Sequence, residues 1–83
     1  MKLVFLGRFR ELAGARLSDV ALPSGVHTLQ GFQDWLARAE PDLAMALAGA
    51  RTQIAINQSL VRDPAHPITE HDEIAFLPPM SGG

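Results

Sequence analysis

The sequence predicts an α+β fold: a mixed β-sheet packed by one main helix. Three observations carry this reading. Residues 2–7 are apolar apart from Lys2 and rich in strand formers. Glu73-Ile74-Ala75-Phe76-Leu77 has the same character near the other end of the chain. Between them, Leu29, Phe32, Leu36 and Ala39 recur at helical spacing and make one apolar stripe.

Each element follows from local chemistry. Residues 2–7 form a buried central strand. Residues 8–14 make one or two helical turns, stopped by Gly14. Residues 16–22 read as a second strand, and Pro23-Ser24-Gly25 as a turn. Thr28 caps the main helix, because its hydroxyl accepts an orphan N–H of the first turn. That helix runs to about Glu40. Gly31 weakens it by about 1 kcal/mol relative to alanine, so packing must hold it. Pro41 ends it. Residues 42–48 form a short apolar helix stopped at Gly49. Residues 52–56 are a third strand, Asn57-Gln58 a tight turn, and Ser59-Leu60-Val61 a fourth strand. Residues 62–72 are polar loop, and 73–77 the last strand. Pro78 lacks an N–H and stops the ladder. First and last strands of like apolar character pair in the middle of the sheet, and the long helix covers one face. That is a β-grasp roll.

The chain has 83 residues, enough for one domain with one core. An apolar fraction of 47% and a charged fraction of 19% are globular values. The absence of cysteine excludes a disulfide framework, a thiol nucleophile and zinc–thiolate or iron–sulfur sites. Net charge is −2, and the seven Lys+Arg form no basic run in sequence, which argues against nucleic acid as a partner. The apolar stretch near the N-terminus is too short for a signal-peptide core or a membrane span, so the expectation is a cytoplasmic protein without membrane attachment.

The C-terminal stretch is Phe76-Leu77-Pro78-Pro79-Met80-Ser81-Gly82-Gly83. Two prolines favour a stiff, extended stem. Gly82 and Gly83 have no Cβ, so a narrow channel admits them. The tip offers one reactive group, the Gly83 carboxylate. A carboxylate is a poor electrophile, but an acyl-adenylate made from it is a good one, and no side chain shields a glycine. The plain alternative is a frayed terminus. The expected division is a β-grasp domain over residues 1–78 and a flexible tail over 79–83.

Three stretches carry a resemblance. "FRELAG" (Phe9 to Gly14) is similar to an Arg-Glu-Leu-x-Gly segment, and "AINQSLV" (Ala55 to Val61) to Ala-Val-Asn-Gln-x-x-Val. "HPITEHDEIAFLPPMSGG" (His66 to Gly83) is similar to an ending that closes on Pro-Pro-Val-x-Gly-Gly. Together they resemble the ubiquitin-like sulfur carriers that form the small subunit of molybdopterin synthase, in order and over the full length. His71, Leu77 and Met80 depart from a glycine, an aromatic and a valine common there.

The resemblance implies a sulfur carrier in molybdenum cofactor biosynthesis. An activating enzyme adenylates the Gly83 carboxylate with ATP, and a sulfur donor converts it to a thiocarboxylate. The tail then enters the large subunit and gives sulfur to cyclic pyranopterin monophosphate. Pro79, Met80, Ser81 and Gly82 thread the partner's channel. The chain holds no permanent cofactor and has no stand-alone catalysis; ATP is used transiently by the activating enzyme. The implied assembly is a heterotetramer with two large subunits at its centre. Two other readings stand beside this one. A thiamine-type sulfur carrier shares the fold and the ending but usually lacks much of the segment around Phe9 to Gly14. A ubiquitin-like modifier or interaction module would conjugate Gly83 to lysines or leave it unused.

Arg10 and Glu11 are candidate partner contacts. Phe76 and Leu77 point to opposite sides of a strand, so one faces out beside the tail and is a candidate anchor. Glu70, Asp72 and Glu73 form an acidic patch that is either ordinary surface charge or a rim for a basic partner. His66, Glu70, His71 and Asp72 share one loop, but their spacing fits no metal site and reads better as a solvated turn.

Overall fold

The computed structural model describes residues 1–49 and 51–79, with the Arg16 side chain also outside the description. In chain order the elements are β1 (Lys2–Phe5), α1 (Arg8–Ala13), α2 (Leu29–Ala39), α3 (Pro41–Leu47), β2 (Gln53–Ile56), β3 (Ser59–Leu60) and β4 (Glu73–Leu77). A single 3-10 turn, Ala15–Leu17, follows α1.

The strands form one mixed sheet in the order β1-β4-β2-β3. The first and last strands pair in parallel, with Lys2 opposite Glu73 and Phe5 opposite Phe76. β2 runs antiparallel to β4, with Gln53 opposite Leu77 and Ile56 opposite Ile74. The last strand is therefore interior, hydrogen-bonded on both sides. Alternation along these strands sends Leu3, Phe5, Ile56, Ile74 and Phe76 into the core, where Leu29, Phe32 and Leu36 of α2 meet them. Phe9 of α1 and Leu43 of α3 belong to the same core. The Phe5 and Phe76 rings stack with centroids 5.2 Å apart. This is the β-grasp arrangement.

The helix cap is as the sequence implies: the Gly31 N–H donates to Thr28 Oγ1 at 3.1 Å. Four expectations need correction. The first strand is not central: β1 pairs with β4 alone and stands at the edge of the sheet, its outer side met only by the Lys2 to Asp19 bridge, because residues 16–22 supply no strand there. Residues 16–22 do not form a strand. Their apolar residues Leu17, Val20 and Leu22 do not keep a period of two, and the segment makes one antiparallel bridge, Lys2 to Asp19. That bridge is held by the Leu3 N–H donating to Ser18 O at 3.0 Å and the Val20 N–H donating to Met1 O at 2.9 Å. Ala39 lies on the exposed side of α2, so the buried stripe ends at Leu36. Pro41 starts a helix as well as stopping one: Glu40, extended at φ −138°, ends α2, and Pro41 takes the first position of α3, where its missing N–H costs nothing.

The β2–β3 turn has positive φ at both central residues, Asn57 at 51° and Gln58 at 69°, as a two-residue hairpin requires. Asn57 also ties this turn to the start of β4. Its Nδ2 donates to Asp72 Oδ1 at 2.9 Å, and its Oδ1 accepts from the Glu73 N–H at 3.0 Å.

Candidate functional site

The sheet register fixes where the C-terminal stem leaves the body. β4 ends at Leu77, opposite Gln53 at the start of β2. Continuing the β1 pairing by two residues and the β2 pairing by one sets Pro78 between Gly7 and Thr52. Pro78 and Pro79 are half-buried. On the β1 flank, Gly7 has φ +56°, and a Cβ placed on it would lie 2.9 Å from Pro78 Cγ. Glycine there allows both the backbone turn into α1 and the close passage of the stem. On the β2 flank an open groove of about 640 Å³ borders the stem, lined by Arg51, Arg62, Gln33, Gln53 and Leu60 among others.

The face of the sheet turned away from α2 continues from this exit. Val4, Ala55, Ala75 and Leu77 alternate with the core residues and lie on it. Leu60, opposite Ala55, shares that face and is 59% exposed. Leu6, next in the alternation after Phe5, is 42% exposed. Small alanines in the middle and leucines at the margins make a shallow apolar surface beside the stem.

The expected site residues divide as follows. Pro79 lines the groove. Met80, Ser81, Gly82 and Gly83 lie outside the described residues. Leu77 is half-buried on the open face. Phe76 is 1% exposed and stacked on Phe5, so its place as a partner contact is corrected: it is a core residue, and the outward member of the pair is Leu77. Arg10 and Glu11 are exposed on α1, which starts directly after Gly7. The sequence reading missed Leu6, Leu60, Arg51 and Arg62. Alternation from Ile56 through the two-residue turn was the available signal for Leu60.

The acidic patch stands at the other end of β4. Asp72 accepts from Asn57 and, through Oδ2, from the Thr69 N–H at 2.7 Å. The Asn57 amide, followed by the Thr69 N–H, holds its carboxyl below the ordinary value. Glu73 lies 3.6 Å from the Lys2 ammonium. These carboxylates are engaged within the chain, and four strand steps of about 3.3 Å each separate Glu73 from Leu77 and the stem. His66 Nδ1 lies 2.8 Å from Pro67 O. Among the described residues no three His, Asp or Glu side chains converge on a metal position, and no helix is long and apolar enough to cross a membrane.

Comparison with known proteins accords with this geometry. The model of the ThiS family matches residues 3–83. The molybdopterin synthase sulfur carrier subunit of Escherichia coli is 35% identical over 83 residues, covering all of this chain and 99% of the relative. Those of Haemophilus influenzae and Chlamydomonas reinhardtii are each 32% identical over the whole chain. Among solved structures, SAMP1 from Haloferax volcanii superposes with a TM-score of 0.76 at 25% identity, covering 98% of this chain and 96% of that one. A β-grasp body with a Pro-Pro stem leaving its interior strand, matched end to end by these relatives, belongs to the ThiS family and groups within it with the molybdopterin synthase sulfur carrier subunits.

Proposed function

We propose that this chain carries sulfur as a thiocarboxylate on Gly83 and delivers it inside the large subunit of molybdopterin synthase. The observation that carries the reading is the end-to-end likeness to sulfur carrier subunits, combined with a stem that continues directly from an interior strand. A strand held by ladders on both sides gives the stem a fixed base at Leu77 and Pro78.

The chemistry runs in three steps. The Gly83 carboxylate attacks the α-phosphorus of ATP; pyrophosphate leaves and an acyl-adenylate remains. Hydrosulfide attacks the acyl carbon, the acyl–phosphate bond breaks, AMP leaves, and with loss of the thiol proton a thiocarboxylate remains. In the synthase that sulfur passes to cyclic pyranopterin monophosphate, and hydrolysis returns the carboxylate. The chain supplies the reacting atom and the geometry that delivers it. The activating enzyme and the large subunit supply the pockets.

The apolar face of Leu6, Val4, Leu77 and Leu60 supports a role as the docking surface for these proteins. Large apolar side chains beside a functional tail are suited to anchoring a partner, and an exposed apolar surface of this kind is one a partner covers.

The test is the intact mass of the protein after incubation with ATP, a cognate activating enzyme and sulfide. The expected result is a shift equal to one oxygen replaced by one sulfur, localised to the peptide ending in Gly83 and absent when Gly83 is deleted. No shift, with the enzyme active on a control carrier, overturns the reading.

A further inference from the structure

We infer that the groove holding Arg51 and Arg62 is an electrostatic dock for an acidic segment of the large subunit, engaged when the tail is inserted. The inference rests on the carrier reading above and adds a recognition element to it.

Placement is the first ground. Arg51 precedes β2 and Arg62 follows β3, and both line the groove that Pro78 and Pro79 border. A protein that approaches the stem from the β2 flank meets this groove. Leu60 belongs both to the groove and to the open apolar face, so one surface continues into the other.

Charge is the second ground. The chain is net negative, yet this groove has two guanidinium groups and no carboxylate in its lining. Both arginines are exposed, and among the described residues neither forms an ion pair. On the other flank of the stem, Arg8 and Arg10 open α1. Glu11 shares that turn of α1 and Asp63 follows Arg62, but neither carboxylate lines the groove, whose own charge is positive.

Reach selects the occupant. The four residues beyond Pro79, drawn out into a partner, span about 13 Å at some 3.3 Å per residue. That puts a phosphoryl group on Gly83 farther from the groove than an arginine side chain extends. The anion must come from the body of the partner. Arginine forks match carboxylates with two parallel hydrogen bonds and are less strongly hydrated than ammonium groups, which suits them to such an interface.

The experiment measures association of the purified protein with the large subunit from the same organism across a range of ionic strength. It compares the unaltered chain with R51E, R62E, the double variant and the conservative pair R51K/R62K. Both positions are exposed, and circular dichroism confirms that each variant folds. The double reversal is expected to slow association about tenfold or more at low salt and to flatten its salt dependence, with dissociation changed little and the lysine pair near normal. ATP-dependent thiocarboxylation of the double variant is expected to persist. Unchanged association and salt dependence in the double variant overturn the inference. So does a defect confined to the activation step, which would move the groove to the activating enzyme, or a loss of affinity for free AMP or phosphate without an effect on the complex. The unaltered chain run in parallel separates the two levels: if it neither accepts sulfur nor binds the large subunit, the carrier reading itself fails.

Discussion

Two side chains, Asn57 and Asp72, hold the start of the last strand. Asn57 combines a left-handed backbone with hydrogen bonds to Asp72 and the Glu73 N–H. Asn57→Ala removes those bonds and raises the strain of the positive φ. The expected loss is about 1 to 2 kcal/mol by urea denaturation, corresponding to several degrees in melting temperature. Asp72 gives the chain a pH dependence of known sign. Its folded carboxyl titrates below the ordinary 3.8, so its contribution to stability is complete above that value and is lost as pH falls from there through the lower folded value. Asp72→Asn is expected to flatten that part of the acid-unfolding profile, followed by circular dichroism between neutral pH and strong acid. These roles were only partly legible. Asn57 announced itself as a turn residue, but its link to residues 72 and 73 joins segments 15 and 16 positions apart. No local pattern encodes that distance.

Among the elements, α2 was legible almost completely, because a cap and a helical apolar period are both short-range signals. Residues 16–22 were misread because β-propensity describes a residue's fit to a pleated surface, and here the neighbour of β1 is reached at one bridge only. The β2–β3 hairpin leaves room for improvement. Gln58 is a non-glycine residue at φ 69°. Gln58→Gly is expected to stabilise the protein by up to about 1 kcal/mol, raising the melting midpoint by several degrees in a thermal scan. The link between β1 and α1 behaves in the opposite way. Gly7→Ala forces both an unfavourable backbone and a 2.9 Å approach to Pro78. The expected result is a loss of about 1 to 2 kcal/mol in chemical denaturation. Sulfur loading should show a raised KM for the carrier, because the displaced stem enters the activating enzyme less often.

For the molecule as a whole, one face of the sheet is packed by α2 and the other lies open, with Leu60 exposed on it. Truncating Leu60, at 59% exposure, is expected to separate them: Leu60→Ser should leave stability within about 0.5 kcal/mol while weakening the large-subunit complex by tenfold or more in a titration. The fold class could be read from three apolar segments because their periods differ by kind. The tail could be read because its composition is so unusual. The surroundings of the tail could not. Leu6, Leu60, Arg51 and Arg62 come from three separate stretches of chain, and only the strand order β1-β4-β2-β3 assembles them around the exit.

The interior position of β4 has a consequence for how the protein is made. β4 is synthesised after β1, β2 and β3, yet β1 has no other strand partner among the described residues and β2 has only the two-residue β3. A chain interrupted before Glu73 has no sheet to close and stays exposed to proteolysis. The strand that completes the fold runs directly into the stem. A molecule whose sheet has closed has therefore been made at least as far as the strand that leads into the stem.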